Sequence, residues 1–251
     1  MSLAEKINGN TVIEINDLNK AFGDNKVLIN FDLSLRKGES VAVLGKSGSG
    51  KSVLIKCIIG LMKPESGSIK VFGNDILSLN SDELDQARVR IGFLFQSNAL
   101  YDSMTVRENL EFPLRRHWIE KNPGEVEAMV KEALANVGLP DTMDMMPSEL
   151  SGGMRKRISI ARTLILKPDI ILYDEPTTGL DPITAKGISQ LMVDVQKKYN
   201  TSSLIISHDL NCIKITADRL VMLIDGKNYA EGTYDEMQGS KDKKVKEFFE
   251  L

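Results

Sequence analysis

Apolar and polar residues alternate through part of Thr11 to Leu18 and again through Val27 to Leu35, the two-residue period of half-buried strands. Gly38 turns the chain. Ser40–Leu44 follows as a short apolar run ending in glycine, as expected of a strand covered on both faces. From Val53 the period changes. Leu54, Cys57, Ile58 and Leu61 recur at helical spacing and predict one apolar helix face, which Pro64 and Gly67 end. Ser68 to Phe72 returns to strand, and Gly73-Asn74 turns the chain again.

From about Gln96 to Lys167 strand runs become scarce. Val106 to Leu114, Gly124 to Val137 and Ser151 to Leu166 read as helices, a helical insertion between two halves of an α/β core. Strands resume at Ile170–Tyr173, Ser203–Ile206 and Arg219–Ile224, with a helical stretch over Pro182 to Tyr199. Strands alternating with helices predict a parallel sheet covered on both faces. The expected organisation is one domain over 1–251. Residues 1–95 and 168–240 form the core, about 96–167 the helical part and 241–251 a short C-terminal helix. Val245, Phe248 and Phe249 share a face of that helix, which docks either on its own domain or on a partner. No internal repeat or low-complexity tract is visible.

Composition narrows the class. Of 251 residues, 42% are hydrophobic and 27% charged, which excludes a largely disordered chain. The net charge of −3 argues against a dedicated nucleic-acid surface. Cys57 and Cys212 are far apart in apolar segments and read as buried free thiols in a reducing compartment. No run of about 18 apolar residues exists to span a membrane, and the N-terminus lacks a signal pattern. A cytoplasmic location is expected.

Three motifs carry chemistry. Gly45-Lys46-Ser47-Gly48-Ser49-Gly50-Lys51-Ser52 fits the P-loop pattern, between a predicted strand and a predicted helix. Its glycines let successive N–H groups surround phosphate oxygens, and the helix presents its positive end to the same anion. Lys51 is assigned to the β- and γ-phosphates, and the Ser52 hydroxyl to Mg²⁺. Ile170–Tyr173 runs into Asp174 and Glu175: Asp174 suits the metal's hydration shell, and Glu175 suits polarising an attacking water. Ser151-Gly152-Gly153, followed by Met154 and the basic Arg155-Lys156-Arg157, reads as a second anion site at a helix start. Alone it would be an ordinary capped helix. One nucleotide needs one cradle, so a second cradle suits the nucleotide of another subunit in a two-fold dimer.

Taken in order, these motifs resemble the ATP-binding cassette (ABC) ATPases over nearly the whole chain. The resemblance implies a P-loop NTPase core with an N-terminal antiparallel β region, an inserted helical subdomain, ATP and Mg²⁺. It makes Gly45–Ser52 the Walker A loop, with Val53 beside it, and Asp174 and Glu175 the Walker B pair. It makes Gln96 the glutamine that senses Mg²⁺ and the membrane partner. Ser151-Gly152-Gly153 becomes the signature facing the other subunit's γ-phosphate, Asp181 the D-loop residue and His208 the switch histidine. Phe22 becomes the aromatic stacked on adenine, a contact typically worth about 1–3 kcal/mol. His117, beside Trp118, belongs to no motif and reads as surface or packing.

A narrower similarity is carried by Asn98–Val106, Glu108-Asn109, Phe112–Arg115, Met154 and Asp181–Thr184. These resemble the ATPases of Mla-type systems, whose MCE-domain partners move phospholipid across the bacterial envelope. The resemblance implies a homodimer on the inner face of the membrane, a permease subunit and possible MCE-domain and small regulatory subunits. Met154 lacks the hydrogen bonds of a glutamine, so the signature contact is expected to be partly apolar. The segment beyond Gly226 is expected to leave no room for an extra regulatory domain. The alternatives are an importer or lipoprotein-release ATPase, or a soluble ABC ATPase outside transport.

Overall fold

A computed structural model describes residues 10–97, 99–116 and 122–250. The readings placed on the first nine residues, Asn98, His117 and Trp118 lie outside the described residues. The chain opens with β1 (Thr11–Phe22) and β2 (Asn25–Arg36), a long antiparallel pair with bulges. Next come β3 (Ser40–Leu44), α1 (Lys51–Ile58), β4 (Ser66–Val71), β5 (Asn74–Asp75), α2 (Ser81–Val89) and β6 (Ile91–Leu94). The helical stretch holds α3 (Val106–Arg116), α4 (Pro123–Asn136) and α5 (Gly152–Leu164). Then follow β7 (Ile170–Asp174), α6 (Pro182–Tyr199), β8 (Ser202–Ile206), α7 (Leu210–Thr216), β9 (Arg219–Ile224), β10 (Lys227–Gly232), α8 (Tyr234–Gln238) and α9 (Lys243–Phe249).

Two sheets result. One is antiparallel, in the order β2-β1-β4-β5, and the other runs β10-β9-β3-β8-β7-β6. In the second, β9, β3, β8, β7 and β6 are parallel and β10 is an antiparallel edge. The strand period of two divides this sheet's side chains between two cores. Ala42, Leu44, Ile171, Tyr173, Ile205, Leu220 and Met222 face the core shared with α3, α4, α5 and α6. Val41, Val43, Ile170, Leu172, Leu204, Ile206, Val221 and Leu223 face the core shared with α1 and the antiparallel sheet. Every residue of β3, β7 and β8 is therefore buried, as a doubly covered parallel sheet requires.

Several elements differ from the periodicity reading. The first helix starts at Lys51 rather than Val53 and stops at Ile58, because Gly60 (φ +67°) leaves helical space. Strand β6 is only four residues long, too short to register as a period. Helix α2 buries no residue, so no apolar stripe announced it; its signal was the capping box between Asn80 and Glu83. Edge strand β10 and short helices α7 and α8 add to the later half. The apolar face of α9 is covered by its own domain: Val245 and Phe248 are buried, and Phe249 meets Tyr234 edge-on at 5.4 Å.

Candidate functional site

Strand β3 delivers the chain into the loop at Gly45. Gly48 (φ +77°) and Gly50 (φ +103°) hold left-handed backbone there. A Cβ on Gly50 would stand 2.6 Å from Val27 Cγ1, and one on Gly45 would stand 2.8 Å from the Leu223 carbonyl oxygen. The loop is thus wedged between β2 and β9 and cannot take larger residues unchanged.

Helix α1 then starts with no side-chain cap and no acidic residue in its first turn. Every other α-helix among the described residues is closed by a side chain: Asn80, Thr105, Asn122, Ser151, Asp181, Asp209, Thr233 or Asp242. Uncapped first-turn N–H groups and the positive end of the helix make an anion site. The Ser49 hydroxyl is also buried without a hydrogen-bond partner.

Charged groups converge on this mouth. Lys51 is buried, and its Nζ donates to the carbonyls of Gly45 (2.7 Å) and Lys46 (3.0 Å). Burial lowers its pKa, opposed by the charges of Glu175 and Asp174. Ser52 Oγ donates to Asp174 Oδ1 at 3.3 Å. Burial raises the Asp174 pKa, against the Ser52 hydrogen bond; Glu175 adds to the rise, and Lys56 and Lys51 oppose it.

Glu175 follows at φ +49°, a strained backbone for a non-glycine residue. Its N–H donates to the Ile206 carbonyl at 2.8 Å. Its Oε2 lies 2.8 Å from His208 Nδ1 and accepts from Thr178 Oγ1 at 3.2 Å. His208 is largely exposed, whereas Glu175 is buried. Asp209 caps α7 and accepts from Thr177 Oγ1 at 2.9 Å, which ties the histidine loop to the loop after β7.

A cavity of about 1030 Å³ opens over this cluster. Gly45, Lys46, Ser47, Gly48, Gly50, Lys51, Ser52, Val53, Gln96, Glu175 and His208 all line it. Asp174 joins them through Ser52, and Ser49 lines an adjoining cavity of about 380 Å³. Among the described residues no group of three His, Cys, Asp or Glu could hold a metal alone. Ser52 and Asp174 supply hard oxygen ligands that suit magnesium shared with phosphate and water. The donor set therefore fits a magnesium-bound polyphosphate.

Besides Ser49 and Asp174, five sequence-assigned residues do not line this cavity. Phe22 stands at the end of β1, 49% exposed, with Lys20 Nζ 5.2 Å from its ring centre. Ser151 caps α5 through Met154 N at 3.2 Å. Gly152 and Gly153 follow it, and Gly153 passes so close to α6 that a Cβ would stand 2.6 Å from Thr184 Cγ2. Asp181 caps α6, accepting from Ile183 N and Thr184 N at 3.0 Å each.

The basic triplet is not a free anion patch. Arg155 donates to the Leu150 carbonyl at 2.7 Å, Arg157 to the Val137 carbonyl at 2.9 Å and Lys156 to the Gln96 carbonyl at 3.1 Å. Met154 packs against the helical core.

Sequence reasoning missed Thr178, Asp209 and Phe248 as residues of this site. Thr178 is three residues past Glu175 and Asp209 adjoins His208, so both were within reach of a local reading. Phe248 lines the main cavity from the far end of the chain, with Glu247 3.7 Å from Lys46. No local pattern connects these residues to the loop.

A glycine loop between a buried strand and an uncapped helix, with lysine and serine at its mouth and a carboxylate two strands away, defines a P-loop nucleotide-binding protein. The family profile "ABC transporter" matches residues 28–178, and the chain belongs to that family. It is 43% identical over 211 residues to the probable ribonucleotide transport ATP-binding protein mkl of Mycobacterium tuberculosis (strain CDC 1551 / Oshkosh), covering 84% of this chain and 58% of that protein. The chain thus spans little more than half the length of these mycobacterial relatives. It is 38% identical over 237 residues to the intermembrane phospholipid transport system ATP-binding protein MlaF of Haemophilus influenzae, covering 94% of this chain and 89% of that one. Among solved structures, the dimeric post-hydrolysis state of the ATP-binding cassette MJ0796, bound to ADP and Pi, superposes with a TM-score of 0.80. There the identity is 31%, covering 88% of this chain and 98% of that one. The fold is that of the ABC ATPase cassettes.

Proposed function

We propose that the chain is the ATP-hydrolysing subunit of a membrane transporter that moves phospholipid in the bacterial envelope. The observation that carries this reading is the similarity to the Haemophilus phospholipid-transport protein over nearly all of both chains. We read residues 1–251 as one cassette, with about 96–167 as its helical subdomain.

The uncapped N–H groups of α1 and the Lys51 ammonium bind the β- and γ-phosphates, with Lys46–Gly50 and Val53 lining the cradle. Ser52, Asp174 and Gln96 hold magnesium, directly or through water. The ion, when bound, neutralises phosphate charge. Glu175 orients the attacking water and accepts its proton, and His208 and Thr178 hold that carboxylate in place. Phe22 offers an exposed ring to the base.

Ser151, Gly152, Gly153 and Asp181 act on the nucleotide of a second copy. Two copies close around two nucleotides and reopen after hydrolysis. The dimeric assembly of the solved relative supports this arrangement.

The transport path belongs to other subunits, since no described helix is long and apolar enough to cross a membrane. A permease is the first partner, with MCE-domain and small regulatory subunits as further ones, at the inner face of the membrane. Phe95 and Tyr101, on either side of Gln96, are exposed aromatics, and Tyr101 rests on Phe112 at 4.7 Å. They suit an apolar helix of the permease. A second reading keeps the permease and changes the cargo to another solute, favoured by the nucleotide-transport name of the mycobacterial relatives.

The test is a pull-down of tagged Glu175→Gln protein from detergent-solubilised membranes with ATP, followed by lipid analysis. A permease with an MCE-type subunit and bound phospholipid supports the lipid reading. A permease without either leaves the second reading, and soluble partners alone overturn the transport assignment.

A further inference from the structure

Lys156 is 1% exposed, among the largest fully buried side chains of the molecule. Its ammonium donates to the Gln96 carbonyl at 3.1 Å, the hydrogen bond it makes among the described residues. No carboxylate forms an ion pair with it among the described residues, although the charge of Asp174 reaches it. Burial pushes its pKa down to about 8. A methionine would fill the same space without dehydrating a cation, so packing alone does not account for a lysine here.

The same helix holds the neighbouring segment elsewhere. Thr163, two turns along α5 on the same face, donates to the Phe93 carbonyl at 3.5 Å. Arg162 donates to the Ala99 carbonyl at 2.7 Å. Helix α5 thus grips the chain before, at and after Gln96. At its other end it carries Ser151-Gly152-Gly153, and Gln96 lines the cavity over the glycine loop.

We propose that Lys156 is a positioning residue: it locks the Gln96 backbone to α5, so that Gln96 and the glycine-rich start of α5 move as one piece. The inference rests on the reading of Gln96 as a magnesium-facing residue. A shift of α5 on dimer closure then displaces Gln96 in the cavity by the same amount. Without the lock, Gln96 relaxes independently of α5.

The experiment uses the full chain with Lys156→Met, Lys156→Arg and, should the methionine variant fail to fold, Lys156→Gln. Amide hydrogen exchange is followed at residues 94–97 in nucleotide-free protein. In parallel, ATP binding is measured in EDTA, and the magnesium concentration for half-maximal hydrolysis is measured beside a Gln96→Ala control. The expected result for Lys156→Met is exchange at 94–97 faster by about tenfold, the order of one charge-assisted hydrogen bond. Protection in α5 stays unchanged, and so does ATP binding in EDTA. The magnesium requirement rises as it does for Gln96→Ala, and Lys156→Arg restores part of both effects.

Unchanged exchange at 94–97, or exchange that rises only with a uniform loss of stability, overturns the lock. An unchanged magnesium requirement in Gln96→Ala overturns the reading of Gln96 itself, and the exchange result then judges the lock by itself. A response in Gln96→Ala with none in Lys156→Met overturns the transmission through Lys156.

Discussion

Helices α1 and α5 both begin at glycine-rich turns that a sequence reading takes for anion sites. At α1 the first-turn N–H groups have no side-chain cap, and a buried lysine waits on loop carbonyls. At α5 Ser151 closes the turn, and the three cations that follow are committed to carbonyls of the same chain. The first turn keeps its N–H groups without a side-chain cap and without an acidic neighbour. The second is capped by Ser151 at the Met154 N–H alone, with no lysine waiting at its mouth. One glycine pattern thus lines a cavity with a converging lysine in one place and carries a serine cap in the other.

The largest effect that would break this contrast lies at Lys51. In Lys51→Ala, equilibrium ATP binding should weaken by about a hundredfold, the scale of charge-assisted hydrogen bonds to phosphate. A fall of only a few-fold, read by calorimetry, would mean that the α1 mouth is not the principal anion site. At α5, Gly153→Ala drives a Cβ to 2.6 Å from Thr184 Cγ2 and should cost about 1–3 kcal/mol in denaturant unfolding. Gly153→Ala with Thr184→Ala should recover that stability. If hydrolysis returns with it, the glycine serves packing against α6; if hydrolysis stays low, the glycine serves a ligand.

Smaller effects sharpen the same picture. Ser151→Ala removes the cap of α5 and should cost about 1 kcal/mol, a melting shift of roughly 2–4 °C for a chain this size. Substituting the corresponding α1 position, Gly50, should instead cost binding, because its backbone sits at φ +103° against Val27. The smallest effect is at Cys57, on the buried face of α1, where burial pushes the thiol up to about 11 from an ordinary 9.0. The unfolded chain loses this proton first, so Cys57 subtracts stability as pH rises from about 9 to about 11. Cys57→Ser should flatten the pH dependence of unfolding in that window, and thiol labelling at neutral pH should require unfolding.

The contrast also marks what was legible. The P-loop could be read directly because its chemistry is made by consecutive backbone groups. Strands β3, β7 and β8 could be read because full burial leaves unbroken apolar runs. Helix α2 could not, since it buries nothing and has no stripe to detect. Glu175 and His208 could each be named at a strand end, but their 2.8 Å contact depends on β7 and β8 lying side by side. Phe22 was assigned by the family resemblance alone, and the structure leaves it on an open edge outside the cavity lining. The triplet Arg155-Lys156-Arg157 looked like one basic patch, yet successive helical residues point about 100° apart and the three reach different segments.

By itself the sequence determined which groups are present and how neighbours in the chain behave. It placed the glycines that let the loop curl, the strand and helix that bracket it, and the order of motifs that marks the family. Those properties follow from covalent neighbours and local backbone freedom. Only the tertiary structure decided which polar groups are already satisfied. A buried donor's partner comes from a distant segment, such as Gln96 for Lys156 or Ile206 for Glu175. That choice depends on strand order and on which helix covers which sheet face, and no local spacing encodes it.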